Sequence, residues 1–137
     1  MAKKKQIELT IEEKLQNALV PKEEQPYKIP SNWCWIRLEN IAEWGSGGTP
    51  SRKRKEYYNG NIPWIKTGEL NNGYIFNSEE KITELGLKNS SAKLYPINTV
   101  IIAMYGATIG KVGILSIEAT TNQACACAIA VSYTHLR

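Results

Sequence analysis

Residues 99–117 read TVIIAMYGATIGKVGILSI, two apolar runs joined by a glycine-bounded connection, and this stretch decides the fold class. Thr99 to Tyr105 is short, apolar and rich in β-branched residues, which reads as a buried strand. Gly106 to Gly110 forms the connection into a second strand, Lys111 to Ile117. A third apolar stretch runs from Ala124 to Val131. Within it Cys125 and Cys127 lie two apart, so a strand points both thiols to one face.

Upstream, the same texture of short strands and turns continues. Ile62 to Lys66 reads as a strand preceded by Asn59-Gly60, a strong turn signal. Asn71-Asn72-Gly73 makes another turn, followed by Tyr74-Ile75-Phe76. Ser78 to Leu87 reads as a short helix, with Glu79, Glu80 and Glu84 on its surface and Ile82 and Leu85 packed inward. Trp33, Trp35 and Arg37 alternate with Cys34, Ile36 and Leu38 in a period of two. Leu38 to Trp44 reads as one or two helical turns. At the front, Thr10 and Glu13 form a T-x-x-E capping box, with Ile11, Leu15, Ala18 and Leu19 at helical spacing. Pro21 ends that helix, and Lys22 to Pro30 is a polar, proline-punctuated linker. Residues 1–9, with Lys3, Lys4 and Lys5, read as disordered. The expected fold is α+β: a small, curved, mainly antiparallel sheet with short helices and one leading amphipathic helix. Residues 1–26 form the leader, helix and linker, and residues 27–137 the globular domain.

The 137 residues suffice for one small domain, and 42% hydrophobic content suffices for a single core. No window approaches the roughly 18 apolar residues that span a bilayer. Met1 to Gln6 is basic, but Glu8, Glu12 and Glu13 stand where a signal peptide needs an apolar run, so a cytoplasmic protein is expected. Three cysteines without an export signal argue against a disulfide framework. Zinc would need a second Cys or His pair at ligand spacing, so Cys125 and Cys127 read as buried thiols.

The net charge of +4 and pI near 8.9 give a mild attraction to polyanions. All 13 acidic residues are glutamates. A Mg²⁺-dependent phosphodiesterase site without aspartate would be unusual. The one histidine, His135, lies near the chain end, where a nucleophile–base pair would lack support. No two prolines are adjacent, so the Asn/Asp-Pro-Pro-Tyr/Phe motif of amino-methyltransferases is missing. No catalytic residues, metal site or cofactor are therefore expected.

The basic run Arg52-Lys53-Arg54-Lys55 is the strongest local pointer to function. Any fold tolerates four adjacent cations on a solvated loop. Tyr57, Tyr58 and Lys66 nearby add stacking surface, hydroxyl donors and charge, a mixture suited to phosphate and base-edge contacts. Gly45 to Ser51, GSGGTPS, fails the dinucleotide fingerprint at Pro50. Its amides at Gly47, Gly48, Thr49 and Ser51 offer either a phosphate cradle or a plain turn. Gly106 to Lys111 fails as a P-loop, with three residues between its glycines and Val112 in place of the Ser/Thr. Lys111 remains a point charge available to a phosphate. Thr121-Asn122-Gln123 suits adenine reading by Asn122 and Gln123 and turn capping equally. Trp33, Trp35 and Trp64 sit in strand-like segments and read as core anchors.

Six phrases in order resemble the specificity (S) subunit of type I restriction-modification systems. They are Tyr27 to Trp35, Gly47-Gly48-Thr49-Pro50-Ser51, Asn59 to Ile65, Lys81 to Lys93, Gly106 to Val112, and Thr121-Asn122-Gln123, together covering about residues 20–131. The resemblance implies a target recognition domain that reads one half of a split double-stranded DNA site. It also implies a DNA methyltransferase (modification) subunit and a separate restriction/motor subunit as partners, and no catalysis by the chain itself. A full S subunit has two recognition domains and long spacer helices, whereas this chain covers one domain, expected to be incomplete at its C-terminus. Two other functions compete: a hydrolase or nuclease built on Glu79 or Glu80 with Lys81, and a protein-interaction stub using helix 10–20 without a DNA role.

Overall fold

A computed structural model describes residues 9–130. Lys3 to Lys5, Val131 and His135 therefore lie outside the described residues. The chain divides into two compact units between Ala42 and Glu43. The α+β class is borne out, but the strands are shared between two sheets rather than one.

In the first unit, α1 (Ile11–Ala18) opens with the reciprocal capping box read in the sequence. The Thr10 amide donates to Glu13 Oε2 at 2.8 Å and the Glu13 amide to Thr10 Oγ1 at 3.2 Å. Ala18 is buried, whereas Ile11 and Leu15 are exposed, so the amphipathic face is only partly used. After Pro21 a 3₁₀ turn spans Lys22–Glu24. The alternation around Trp35 yields a single antiparallel bridge, Leu19 to Ile36, instead of a full strand. Trp35 meets Tyr27 edge-on at 4.9 Å and donates its indole N–H to the Tyr27 carbonyl at 3.2 Å. Trp33 corrects the core-anchor expectation: it is 68% exposed, because the bridge ends before it can be drawn inward.

The second unit carries most of the strands. A five-stranded sheet is ordered β1 (Ala42–Ser46), β8 (Cys125–Ala130), β5 (Val100–Ala103), β6 (Val112–Leu115), β3 (Gly73–Ile75). A three-stranded sheet is ordered β4 (Glu80–Ile82), β2 (Tyr58–Ile65), β7 (Thr120–Thr121). β5 runs antiparallel to β6 and β8, and β2 antiparallel to β4. β3–β6 and β2–β7 are parallel. Ile101, Ala103, Leu115, Cys125 and Cys127 alternate inward and join Ile65, Leu70, Ile75 and Tyr95 in the larger core. Trp64, Ile82 and Ala92 form a smaller cluster.

Three local expectations change. Asn59-Gly60 is a bulge inside β2, not a hairpin turn: Tyr58 and Ile62 both pair with Ile82. Turn and bulge share a need for left-handed backbone, which Asn59 supplies at φ 59°. Glu80–Ile82 is strand β4, and the helix, α2, is confined to Glu84–Lys88 behind the cap Thr83. Leu85 is consequently exposed rather than packed, and Gly86 is buried against Tyr57. Finally, Leu38 to Trp44 is one 3₁₀ turn, Leu38–Asn40, followed by β1.

Candidate nucleic-acid interface

Four connecting segments gather at one end of the five-stranded sheet, because the strand directions bring them there. β5 ends at Ala103 opposite Cys125, where β8 begins, and next to Val112, where β6 begins. β3, parallel to β6, begins at the same end with Gly73. The Met104 amide donates to the Ala124 carbonyl at 2.9 Å, tying the 104–111 connection to the Thr121-Asn122-Gln123 turn. The Asn72 amide donates to the Val112 carbonyl at 2.9 Å, and Asn72 Oδ1 accepts from the Val112 amide at 3.1 Å. Gly48 donates to the Thr121 carbonyl at 2.8 Å, and the Thr49 hydroxyl bonds Gln123 Oε1. Phrases 74 residues apart in sequence thus become neighbours.

The glycine loop is packed rather than open. Gly45 and Ser46 belong to β1, and Gly47 and Gly48 are buried. A Cβ at Gly47 would fall on the Thr121 carbonyl, and one at Gly48 on Ser91 and the Ala92 amide. The Gly48 carbonyl accepts from the buried indole N–H of Trp64 at 3.0 Å, and the Pro50 carbonyl from the Tyr58 hydroxyl at 2.5 Å. These bonds fix the loop's backbone and leave the Thr49 and Ser51 side chains exposed.

The basic run divides into two groups. Arg52 lies 4.5 Å above the Tyr58 ring and 5.0 Å above Trp64, and bonds both Glu80 carboxylate oxygens, at 2.6 and 3.0 Å. Lys66 reaches the same carboxylate at 3.0 Å and Glu79 at 3.1 Å. The Arg52 hydrogen bond, with Lys66 behind it, holds the Glu80 carboxyl down at about 2. Its partners respond in kind: the Glu80 bonds raise both Arg52 and Lys66 above their ordinary values. Arg54 pairs with Glu56 at 3.2 Å in an exposed setting. Lys53 and Lys55 are exposed, with no ion pair among the described residues, and so is Lys111 beyond the Gly110 turn.

Tyr57 is half-buried against α2, and its carbonyl accepts from the Thr83 amide at 2.9 Å. Asn122 is occupied structurally: its backbone N–H donates to the Ile65 carbonyl at 3.0 Å and its side-chain Oδ1 accepts from the Cys125 thiol at 3.2 Å. Gln123 is exposed beside Thr49. The two buried thiols are raised by desolvation, Cys125 to about 12. Glu79 and Glu80 converge on Lys66, and Lys81 stands on the opposite face of β4 from Glu80, so the Glu-Glu-Lys run does not form one site.

Sequence reasoning took only Lys111 from the 104–111 connection. The structure adds exposed Met104, Tyr105 and Ile109 at the same sheet end, together with Asn71 and Asn72. Gly106 and Gly110, at φ 89° and 81°, shape that connection and have open space where a Cβ would be. The signal was present as two glycines bounding a short link between apolar strands. No helix among the described residues is long and apolar enough to cross a membrane.

Residues 30–136 match the family described as the type I restriction modification DNA specificity domain. The chain is 40% identical over 99 residues to the type I restriction enzyme MjaIX specificity subunit of Methanocaldococcus jannaschii, covering 70% of this chain and 23% of that one. It is 37% identical over 93 residues to the EcoR124I/EcoR124II specificity subunit of Escherichia coli, covering 65% and 23%. The chain thus spans about a quarter of the length of these relatives. The HsdS subunit from Thermoanaerobacter tengcongensis shares the fold at TM-score 0.56 and 15% identity, over 85% of this chain and 27% of that one. A chain from a study of complex assembly and conformational transition of the type I R-M system aligns at TM-score 0.57 and 16% identity, with the same coverage. The match over residues 30–136, together with these relatives, shows that the chain belongs to the type I restriction modification DNA specificity domain family.

Proposed function

We propose that the chain recognises a specific double-stranded DNA sequence and directs partner subunits to it, without chemistry of its own. The observation that carries this reading is the gathering of four connections at one sheet end, around the Thr49–Gln123 pair, with exposed Asn71, Asn72 and Lys111 beside it. Cations on flanking loops neutralise phosphates, while exposed amide and hydroxyl side chains on a fixed backbone read base edges. The DNA-contacting set comprises Thr49, Ser51, Lys53, Arg54, Lys55, Lys111 and Gln123, carried on a frame that Gly47, Gly48, Arg52 and Lys66 hold in place. Tyr57, Tyr58 and Asn122 would act mainly by holding their loops. The partners are a DNA methyltransferase subunit and a restriction/motor subunit, as the family relationship suggests. The domain proper begins near residue 27, and the protein works in the cytoplasm.

Fluorescence anisotropy of the chain on labelled duplex DNA, titrated with salt, tests this reading. Four phosphate contacts, from Lys53, Arg54, Lys55 and Lys111, would give a log–log salt slope of about −3.6. Between 50 and 200 mM salt, affinity would then fall on the order of a hundredfold. Binding that ignores salt, or duplex cleavage by the purified chain with Mg²⁺, would contradict it.

A further inference from the structure

Of the five cations in the loop and at Lys66, two are already engaged by a single carboxylate. Glu80 receives a two-pronged bond from Arg52 and a second cation from Lys66. The Arg52 guanidinium also lies over two aromatic rings, so it is held from below by Tyr58 and Trp64 and from the side by Glu80. Trp64 is buried and Tyr58 bonds the Pro50 carbonyl, so every wall of this seat is itself anchored. A DNA phosphate would have to displace an existing bidentate partner to reach Arg52. Lys53 and Lys55, one and three residues on, face no such competitor among the described residues.

We propose that Glu80 is a positioning residue: it clamps Arg52 and Lys66 away from phosphate and thereby pins the loop, so that the loop's phosphate contacts come from the unclamped Lys53, Arg54 and Lys55. The clamp has two consequences. It limits sequence-independent attraction, because two cations are withheld from the polyanion. It also stiffens the loop that carries Thr49, whose hydroxyl meets Gln123 across the sheet end. The division of labour between clamped and free cations rests on the DNA-binding reading above; the clamp itself does not.

Two readouts separate these. The first needs no DNA. Residues 52–55 are four consecutive trypsin sites, so cleavage there, mapped by mass spectrometry on the whole chain, reports how firmly the loop is held. Glu80→Gln and Arg52→Gln should each speed cleavage after residues 53–55 several-fold. Glu118→Gln, an exposed glutamate with no ion pair among the described residues, matches the charge change and should leave the rate unchanged. The second is the salt slope of duplex binding. Arg52→Gln should leave it unchanged, and Lys53→Gln with Lys55→Gln should shallow it by about 1.8. Glu80→Gln should steepen it by about 0.9 relative to Glu118→Gln, as Arg52 is freed while Lys66 keeps Glu79. Equal cleavage in Glu80→Gln and Glu118→Gln would overturn the clamp. A slope that shallows by about 0.9 in Arg52→Gln would show Arg52 on a phosphate and overturn the withholding. If the native chain binds no duplex at all, the DNA reading and the withholding built on it fail, while the cleavage rates still decide whether Glu80 holds the loop.

Discussion

Replacing Trp64 by Phe should unsettle the loop that organises the candidate interface, at a cost that can be worked from its surroundings. Trp64 is 2% exposed, and its indole N–H is the partner of the Gly48 carbonyl at 3.0 Å. Phenylalanine leaves that carbonyl unpaired in the interior, which costs about 1–3 kcal/mol. The smaller ring also leaves a void of one or two methylene equivalents, worth about 1 kcal/mol. Arg52, 5.0 Å above the indole, loses part of a cation–π contact worth roughly 0.5 kcal/mol at an exposed position. The sum is about 3 kcal/mol, a large share of the roughly 5–15 kcal/mol stability of a domain this size. Near 4 °C per kcal/mol, the midpoint of thermal unfolding should fall by about 12 °C. Circular dichroism with temperature and urea measures both quantities. Trp33→Phe is the internal comparison: at 68% exposure it should cost less than about 0.5 kcal/mol. A Trp64→Phe loss below about 1 kcal/mol, or one equal to that of Trp33→Phe, would mean that the indole N–H does not hold the Gly48 carbonyl.

Other outcomes follow from the same packing. Gly48→Ala sets a methyl group against Ser91 and the Ala92 amide, where backbone must yield, and should cost about 1–3 kcal/mol by urea denaturation; an unchanged midpoint would contradict that packing. Iodoacetamide on the native chain should label exposed Cys34 rapidly and leave buried Cys125 and Cys127 untouched until denaturant is added, since burial pushes Cys125 up to about 12. Three equally fast thiols would count against the core as described. The Glu80 carboxyl is depressed from 4.5 to about 2, so its contribution is present above about pH 4.5 and lost as pH falls towards 2. That contribution is about 1 kcal/mol after solvent screening of these part-exposed side chains. The stability gap between native and Glu80→Gln chains should therefore close over that window, and a gap that persists at pH 2 would exclude the ion pairs as its source.

What could be read without the structure was local. The Thr10–Glu13 capping box, the strands on either side of Gly106 to Gly110 and the shared face of Cys125 and Cys127 depend on spacings of a few residues, and each is found. The Asn59-Gly60 dipeptide correctly announced left-handed backbone, but a bulge and a turn make the same demand, so the choice between them lay with the pairing to Ile82. Ser78 to Leu87 misled because Ile82 suits an inward position in a helix or a strand; pairing with β2 decided it. The parallel pairs β2–β7 and β3–β6 join segments dozens of residues apart with no local signature. The same distance hid the Thr49–Gln123 contact and the capture of Arg52 by Glu80, 28 residues on. The basic run announced charge, but only the fold divides clamped cations from free ones.

Sequence-specific recognition by this chain can be read out by selection from a pool of randomised duplexes. The chain is immobilised, duplexes are retained at near-physiological salt, and the recovered pool is sequenced over successive rounds. The native chain should enrich one short motif, with the enrichment lost or altered in a Thr49→Ala, Gln123→Ala variant that keeps its thermal midpoint. Retention without any enriched motif would reduce the chain to a nonspecific polyanion binder, and no retention at all would contradict DNA recognition by this chain.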